Sequence, residues 1–376
     1  MKVPTITAME ISPAGLRVTF ESHQTPEFYS WMWLQDHSQD PTRHDLITKQ
    51  RKVDTFAINP MVRGVDASIV GESIQVTWSD NSEPGQFPIH LLADVAGLVD
   101  FDAPTTLWST SPSTADLQKI AFEDVVSTDD GLTTLLNNVA MFGYGLVHDT
   151  PNSHAGVETL ARRVGYPRET IFGGLWTLSS EMSDHNDSAY SQTFLEPHTD
   201  GTYSSDAPGL QMFCCLEREG NGGESILVDG FAIADLLRRT DPPAFETLTR
   251  VVVQSHYVEP GIHLTAKRPV IRLDHAGNIK QISFNNYDRA PFRLSPNQEQ
   301  EFYRAYTKFH ELLNDQNSWR VVRLDPGDAV LFDNWRILHG RMEYTGRRVF
   351  IGCYHNREDF ESRRRVLEET KGATRA

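Results

Sequence analysis

Apolar and polar side chains alternate in short runs over the first hundred residues. LRVTF (16–20) and SIQVTW (73–78) alternate with a period of two, which predicts half-buried β-strands, and a turn-forming SDNSEPGQ follows the second run. PIHLLADVAGL (88–98) predicts a short helix. Residues 100–116 are polar and rich in Pro, Ser and Thr, as domain boundaries often are. The pattern therefore predicts a small β-rich N-terminal domain over residues 1–105.

A second, larger domain is predicted over residues 116–376. GLTTLLNNVAMFG (131–143) and AGVETLARRVGY (155–166) have the apolar spacing of helices. The chain beyond them contains six short strand patterns, LQMFCCLE, ESILVDG, PVIRLD, IKQISFN, DAVLFDN and VFIGCYHN. Two helical stretches interrupt these strands, FAIADLLRRTDPPAFETLTRV and SPNQEQEFYRAYTKFHELLN. Because strands and helices do not alternate regularly, the pattern favours a sandwich or jelly roll over a parallel doubly wound sheet.

Charge and cysteine content narrow the range of partners. The 376 residues include 51 acidic and 35 basic side chains, for a formal charge of −16, which argues against a nucleic-acid partner. Cys214, Cys215 and Cys353 are too few for a disulfide framework and indicate buried thiols in a reducing compartment. No apolar run approaches the roughly 18 residues of a membrane span, and the N-terminus lacks a signal or transit pattern. We therefore expect a cytoplasmic protein with no membrane partner.

The segment LEPHTDGTY places His198 and Asp200 two residues apart, ahead of a turn-rich stretch. On extended backbone the two side chains share one face and could bind one metal ion. Two histidines and one carboxylate form the facial triad of non-haem Fe(II) oxygenases, so a second, distant histidine is needed. His339 follows an apolar strand, and nine residues later Arg348 could bind the far carboxylate of a dicarboxylic co-substrate through two hydrogen bonds.

Two other functions are compatible with a triad of this kind. Two imidazoles and a carboxylate can also hold catalytic zinc, as in a metal hydrolase, although a hydrolase gives Arg348 no role. A catalytically silent jelly roll that binds a quaternary ammonium osmolyte is the second alternative. Iron dependence and the release of one succinate per turnover would distinguish an oxygenase from both.

The same segments resemble the iron(II)/2-oxoglutarate oxygenases of the γ-butyrobetaine and trimethyllysine dioxygenase family. The similar stretches are WLQD…ITKQRKVDT, SAYSQTFLEPHTDGTY, GLQMFCCLEREGNGGESILVDGF, FNNYDRA and DNWRILHGR…TGRRVFIGCY, spread from about residue 31 to 365. The resemblance implies a mainly β protein with flanking helices, in which a double-stranded β-helix (jelly roll) follows a small N-terminal β-rich domain. A related enzyme handles the phosphonate 2-(trimethylammonio)ethylphosphonate.

The resemblance also implies roles for the residues of the triad. His198, Asp200 and His339 would bind Fe(II), and Arg348, with Ser225, would bind 2-oxoglutarate. The reaction would consume O2, release succinate and CO2 and hydroxylate an unactivated carbon, with ascorbate as the reductant in vitro. The hard chemistry belongs to the metal and the co-substrate, while the protein supplies orientation and electrostatics.

Members of this family hold a trimethylammonium group in an aromatic cage, a cation–π arrangement. The resemblance places Trp176, Tyr190 and Tyr354 in that cage, and Phe172 where a further cage tyrosine can stand. Tyr203, just past the ligand pair, is another aromatic candidate. The competing interpretation for each ring is core packing.

The acid end of the substrate needs hydrogen-bond donors. Asn285, Asn286 and Arg289 of FNNYDRA could bind a carboxylate or phosphonate, and Asp187 falls at a polar, substrate-facing position of the family. γ-Butyrobetaine, trimethyllysine and 2-(trimethylammonio)ethylphosphonate are the three candidate substrates. The sequence favours a short trimethylammonium zwitterion and leaves its acid group open.

The N-terminal domain departs from the family in one respect. Relatives often carry a zinc ion there, held by clustered cysteines, but this chain has Ser38, Asp40 and Arg43 in roughly those places. A serine cannot replace a thiolate ligand, so we do not expect zinc in this domain. The resemblance also implies that the protein forms a homodimer.

Overall fold

The structure is a computed structural model that describes residues 4–98, 105–108, 117–179 and 191–374. The chain divides into two compact units, Met1–Asp102 and Ala103–Ala376. No helix of the described part of the chain is long and apolar enough to cross a membrane.

Two three-stranded antiparallel sheets form the smaller unit, in the orders β1-β2-β3 and β4-β5-β6. Its strands are β1 (Ile6–Ile11), β2 (Gly15–Phe20), β3 (His23–Ser30), β4 (Gly64–Val70), β5 (Ser73–Trp78) and β6 (Gly85–Pro88). Its helices are α1 (Trp31–His37), α2 (Ile89–Val95) and a 3₁₀ turn at Thr55–Ala57. The strands predicted at LRVTF and SIQVTW and the helix predicted at PIHLLADVAGL are confirmed.

Along these strands, apolar residues alternate with polar ones, and the apolar positions are the buried ones. Leu16, Val18 and Phe20 of β2 are fully buried, while the residues between them are more exposed. Ile74 and Val76 of β5 enter the same core. The smaller unit thus has a hydrophobic core of its own, as expected when one face of each sheet is solvated.

The larger unit contains two principal sheets. A six-stranded sheet has the order β7-β8-β18-β11-β20-β9, and a four-stranded sheet has the order β10-β19-β12-β17. The β7–β8 pair is parallel and the other pairs of both sheets are antiparallel. The strands of these sheets are β7 (Ile120–Ala121), β8 (Tyr144–His148), β9 (Trp176–Ser179), β10 (Leu195–His198), β11 (Leu210–Arg218), β12 (Ser225–Asp229), β17 (Arg320–Val322), β18 (Ala329–Asp333), β19 (Ile337–Arg341) and β20 (Arg348–His355).

Two hairpins and the helices complete this unit. The hairpins pair β13 (Val252–Glu259) with β14 (Ile262–Pro269), and β15 (Ile271–Leu273) with β16 (Ile279–Ile282). The helices are α3 (Phe122–Ser127), α4 (Asp129–Phe142), α5 (His154–Val164), α6 (Gly230–Thr240), α7 (Pro242–Arg250), α8 (Pro296–Asn314) and α9 (Arg357–Thr374), with a 3₁₀ turn at Gln316–Ser318. The strand patterns predicted from the sequence are confirmed, but the β13–β14 hairpin was not predicted.

Helices cover the outer faces of both sheets. α4, α5 and α9 pack on the six-stranded sheet in one hydrophobic cluster, and α6, α7 and α8 pack on the four-stranded sheet in another. A third cluster joins residues of the two inner faces, among them Leu227 and Ile337 from one sheet and Phe332 and Phe350 from the other. The described fold is therefore the jelly roll that the sequence predicted.

One predicted helix is in fact two. The stretch FAIADLLRRTDPPAFETLTRV forms α6, which ends at Thr240, and α7, which begins at Pro242. Asp241 separates them and accepts a hydrogen bond from the Ala244 amide at 3.1 Å as the N-cap of α7. Proline suits the first helical turn but cannot continue a preceding helix, since it lacks the amide donor.

Candidate metal centre and substrate cavity

A cavity of about 370 Å³ lies between the inner faces of the two principal sheets. Strand β20 shows how the sequence shapes it. Arg348, Phe350 and Tyr354 alternate along one face of β20 and line the cavity, while Ile351 and Cys353 between them belong to the core under the helices. Gly352 continues the cavity face, and a Cβ there would lie 2.7 Å from Trp176 Cε2, so only glycine leaves room for the indole.

His198, Asp200 and His339 come together in the wall of this cavity. Their ligand atoms all lie within 4.8 Å of one another. His198 ends β10 and stands directly opposite His339 of β19, with ring centroids 4.4 Å apart. Asp200 follows in the turn after β10, and its Oδ1 lies 3.4 Å from His198 Nε2. Within the described residues this is the group of histidine, cysteine and acidic side chains close enough to share a metal ion.

Hydrogen bonds of the backbone fix the turn that carries Asp200. The Asp200 amide donates to Asn334 Oδ1 at 2.9 Å, and Asn334 Nδ2 donates to the Asp200 carbonyl at 3.0 Å. Gly201 adopts a φ of +69°, a left-handed conformation that glycine adopts at no steric cost. Asn334 is 1% exposed, so the turn is tied to the buried end of β18.

The orientation of His198 leaves one ring nitrogen for a metal. Its Nδ1 lies 2.7 Å from the Glu196 carbonyl, which can only accept, so Nδ1 carries the proton and donates. Nε2 then faces Asp200, and it is the nitrogen that a metal ion would bind. A hydrogen bond of this kind from the other ring nitrogen orients metal-binding histidines in proteins.

The protonation states suit a divalent cation. Burial alone would raise the pKa of Asp200, but His339, His198 and the Tyr354 hydroxyl lower it, so the carboxylate is ionised. Burial lowers the pKa of His339 to about 3, so this imidazole is neutral. Burial also acts to lower the pKa of His198, but its hydrogen bond to Asp200 and the charge of Asp200 raise it. A metal ion bound at Nε2 of His198 would displace the proton of the hydrogen bond between this nitrogen and Asp200.

Arg348 gives the cavity a half-buried positive charge. Its guanidinium carbon lies 3.8 Å from the centroid of the Phe350 ring, and its Nε is buried with no hydrogen-bond partner among the described residues. Burial, and then the nearby Arg341, lower the pKa of Arg348 to about 10, which keeps it charged at neutral pH. The neighbouring Arg341 is engaged, since it donates to the carbonyls of Ser191 and Thr193. Ser225, the first residue of β12, lines the same cavity.

Aromatic side chains form another part of the wall. The Trp176 ring lies 4.4 Å from the Tyr354 ring and 6.1 Å from the Phe172 ring, between centroids. The ring centroid of Tyr257 lies 5.2 Å from that of Tyr203 and 5.9 Å from that of Phe172. Trp176, Phe172, Tyr203 and Tyr354, all selected from the sequence, therefore line one cavity.

The other residues proposed to contact the substrate divide into three groups. Asn285 lines the cavity and donates through Nδ2 to Asp288 Oδ2 at 2.9 Å. Asn286 and Arg289 do not line it; Arg289 Nε donates to Asn286 Oδ1 at 3.2 Å, and its guanidinium lies over the rings of Tyr303 and Tyr306. Asp187 and Tyr190 lie outside the described residues.

Gln211, Asp288 and Tyr257 are among the cavity residues that the sequence analysis did not select. Gln211 of β11 donates through Nε2 to Asp200 Oδ2 at 2.8 Å, and Asp288 accepts from Thr202 Oγ1 at 2.9 Å. Tyr257 comes from the β13–β14 hairpin. A signal for this hairpin existed, because VVQSHYVE and IHLTAKRP flank a Pro-Gly pair, which is typical of a turn between strands. Gln211 and Asp288 carried no local signal.

In the smaller unit, Ser38 is buried and hydrogen-bonded to the backbone. It is 3% exposed, and its hydroxyl accepts hydrogen bonds from the amides of Gln86 at 3.1 Å and Asp40 at 3.4 Å. The Arg43 guanidinium donates to the Gln35 carbonyl at 3.0 Å.

The donor set of the triad fits a non-haem iron ion. Two imidazoles and one carboxylate on one side of a cavity would leave open coordination positions on the other side, the arrangement of the facial triad. A jelly roll with this triad and a half-buried arginine is the arrangement expected of an oxygenase of the non-haem iron class. The chain belongs to the TauD/TfdA family, since the model "Taurine catabolism dioxygenase TauD, TfdA family" matches residues 105–354.

Named relatives cover most of the chain. A "Trimethyllysine dioxygenase, mitochondrial" of Rattus norvegicus is 31% identical over 90% of this chain and 82% of its own length. A "Gamma-butyrobetaine dioxygenase" of Pseudomonas sp. (strain AK-1) is 29% identical over 94% of each chain. Among solved structures, a taurine dioxygenase from Burkholderia xenovorans shares 13% identity and a TM-score of 0.46, over 67% of this chain and 83% of its own.

Proposed function

We propose that this chain is an Fe(II)- and 2-oxoglutarate-dependent dioxygenase that hydroxylates a small trimethylammonium zwitterion and releases succinate and CO2. The observation that carries the proposal is a single cavity lined by three kinds of side chain. It brings together the His198–Asp200–His339 triad, the positive charge of Arg348 and a set of aromatic rings. The similarity to trimethyllysine and γ-butyrobetaine dioxygenases supports the same substrate class.

His198, Asp200 and His339 would hold the iron ion. When bound, Fe(II) supplies the redox chemistry that couples oxidative decarboxylation of 2-oxoglutarate by O2 to hydroxylation of a C–H bond. The protein's contribution is to orient the reactants and to exclude water around them.

Arg348 is the residue proposed to bind the C5 carboxylate of 2-oxoglutarate. Its Nε lacks a protein partner among the described residues, and no carboxylate of those residues forms an ion pair with it. A half-buried guanidinium in this state favours an incoming carboxylate, which can accept two parallel hydrogen bonds. Ser225 is proposed to donate a further hydrogen bond to the co-substrate, since it lines the same cavity.

The aromatic rings are proposed to bind the trimethylammonium group. A methylated cation has no N–H to donate and is weakly hydrated, so the faces of Trp176 and Tyr354 suit it better than a carboxylate would. Arg348 and Tyr354 lie on the same face of β20, six residues apart, which corresponds to about 20 Å of strand. The co-substrate and the cation therefore have separate places along one strand, with Phe172 and Tyr203 adding to the aromatic side.

The acid end of the substrate is proposed to lie near Asn285. Asn285 is the candidate that reaches the cavity. On the family resemblance alone, Asp187 is proposed as a polar residue facing the substrate and Tyr190 as a member of the aromatic cage. Asp288 adds a carboxylate to this region, which suits an ammonium or hydroxyl group more than a bare phosphonate. γ-Butyrobetaine, trimethyllysine and 2-(trimethylammonio)ethylphosphonate therefore remain the three substrates to compare.

The test is succinate release with Fe(II), ascorbate, O2 and 2-oxoglutarate in the presence of each candidate substrate. We expect one of the three to stimulate succinate formation strongly, with one hydroxylated product per succinate. The Asp200→Ala variant provides the background without a complete triad. Stimulation by none of the three, with iron bound and 2-oxoglutarate slowly consumed, would contradict the trimethylammonium part and leave the oxygenase class standing.

The proposal extends to the location, the oligomeric state, the partners and the domains of the protein. We propose a cytoplasmic homodimer without nucleic-acid or membrane partners, organised as domains 1–105 and 116–376. Sedimentation equilibrium of the full chain would test the dimer directly.

A further inference from the structure

The two carboxylate oxygens of Asp200 have different surroundings. Oδ2 accepts a hydrogen bond from Gln211 Nε2 at 2.8 Å and another from the Tyr354 hydroxyl at 2.7 Å. Oδ1 is the oxygen that lies 3.4 Å from His198 Nε2, while Oδ2 lies 3.8 Å from His339 Nε2. One oxygen is thus held by two protein donors, and the other faces the histidine that ends β10.

The two donors are held in place by the sheet. Gln211 of β11 and Tyr354 of β20 are direct partners in the antiparallel register, so their side chains leave the sheet side by side. Gln211 is 1% exposed and Tyr354 is 6% exposed. Gln211 Oε1 is buried with no hydrogen-bond partner among the described residues. A buried amide with one unsatisfied atom is costly, so its position calls for a function that fold stability does not explain.

We propose that Gln211 and Tyr354 are positioning residues that hold Oδ2 of Asp200, so that Oδ1 alone is presented to the metal. The inference rests on the proposed function, because it concerns the metal of the same triad. Without these donors the carboxylate is free to rotate about its terminal bond and to bind through both oxygens. The second oxygen would then take a coordination position that the co-substrate needs, and partners of this kind set metal affinity in other proteins.

Tyr354 also takes part in the aromatic wall through its ring, 4.4 Å from Trp176. Its two roles are separable, because Tyr354→Phe keeps the ring and removes only the hydroxyl. Gln211→Leu removes the second donor with little change in volume. Tyr257→Phe is the matched control, since it removes a hydroxyl from another cavity tyrosine, whose hydroxyl donates to Glu259 at 3.0 Å.

The experiment is a Co(II) titration of the full chain, free of substrate, followed by the visible absorption of the bound metal. We expect the dissociation constant for Co(II) to rise by about 10–100-fold in Gln211→Leu and in Tyr354→Phe, and further in the double variant. The absorption band of bound Co(II) should also change shape as the carboxylate changes its mode of binding. Tyr257→Phe should match the wild type in both respects, and thermal unfolding would establish that each variant is folded.

The outcomes separate this inference from the proposed function. Tight Co(II) binding with identical spectra in the wild type and both variants would overturn the positioning role while leaving the triad intact. No Co(II) binding by the folded wild type would overturn the metal site itself, and with it the proposed function. If Gln211→Leu does not fold, Tyr354→Phe alone decides, because it preserves the packing of the ring.

Discussion

His198 and His339 face each other across the β10–β19 pair, with ring centroids 4.4 Å apart. Antiparallel register places the two side chains on the same inner face of the four-stranded sheet, and the turn after β10 adds Asp200. A slip of one residue in this register would turn one histidine toward the outer helices. The metal centre is therefore a property of how two distant strands pair.

Removing a ligand should abolish the reaction without unfolding the chain. We expect His339→Ala and Asp200→Ala to lower succinate release to the level measured without iron, because two remaining ligands hold the ion poorly. Iron content after gel filtration and the far-ultraviolet circular dichroism of each variant are the accompanying measurements. His263→Ala, an exposed histidine of β14, should behave as the wild type. Substantial turnover by either ligand variant would place the metal elsewhere.

Arg348→Met should raise the KM for 2-oxoglutarate more than it lowers kcat at saturation. Loss of a buried, hydrogen-bonded charge pair costs about 2–5 kcal/mol, which corresponds to about 30-fold or more in affinity. Arg347→Met is the matched control, since Arg347 is half-exposed and pairs with Glu217 at 3.0 Å. Initial rates over a range of 2-oxoglutarate concentrations measure both constants. Equal KM values in the two variants would contradict the assignment of Arg348.

Trp176→Leu should weaken binding of the trimethylammonium group while leaving the KM for 2-oxoglutarate unchanged. A desolvated cation–π contact is worth about 1–2 kcal/mol, so we expect the KM of the cationic substrate to rise by about 5–30-fold. The neutral analogue, in which a tert-butyl group replaces trimethylammonium, separates charge from shape. A similar loss for both compounds would mean that the indole acts by packing alone.

His355 should make the fold sensitive to acid. It is fully buried, its Nε2 donates to the Ala161 carbonyl at 3.0 Å, and burial lowers its pKa from 6.5 to about 4. Above pH 6.5 the residue is neutral in both the folded and the unfolded chain. As the pH falls from 6.5 toward 4 the unfolded chain binds the proton first, so stability is lost over that window.

The variant His355→Gln keeps a donor for the Ala161 carbonyl and does not titrate. We expect the wild type to lose about 2 kcal/mol of unfolding free energy relative to this variant between pH 7.5 and pH 5. Urea unfolding of both proteins at each pH gives the comparison. Parallel pH dependences would show that His355 is not the group responsible.

Asp229, at the end of β12, and Arg336, which precedes β19, form a buried ion pair in the larger unit. Their side chains are 0% and 2% exposed, and Nη2 of Arg336 lies 2.8 Å from Oδ2 of Asp229. Asp229 also caps α6 by accepting from the Phe231 amide at 3.1 Å. Asp229→Ala should lower the unfolding free energy by about 3–5 kcal/mol, because an unpaired guanidinium stays buried.

The double variant Asp229→Ala with Arg336→Met tests the reason for that loss. We expect it to be more stable than Asp229→Ala alone, since it removes the buried charge together with its partner. Chemical unfolding of the two single variants and the double variant completes the cycle. Additive losses would mean that the pair does not interact in the folded chain.

The sequence by itself was enough to predict many of the strands and the chemistry of the candidate metal site. Alternating patterns such as LRVTF and SIQVTW are local, so they could be interpreted without knowing what each strand pairs with. The facial triad accepts few residue types, and HTD together with a distant histidine after an apolar run and a following arginine was enough to select four residues among many. Short-range pattern and strict donor chemistry are what made these predictions possible.

Only the tertiary structure decided which other side chains share the cavity. Asn285 reaches it while Asn286 and Arg289, from the same short segment, do not, and Tyr257 arrives on a hairpin that was not predicted. The separation of α6 from α7 at Asp241 and the contact of Gln211 with Asp200 were equally hidden. These features depend on strand register and on contacts between residues far apart in the chain. No local pattern specifies such contacts, since the partner that completes each one lies elsewhere in the sequence.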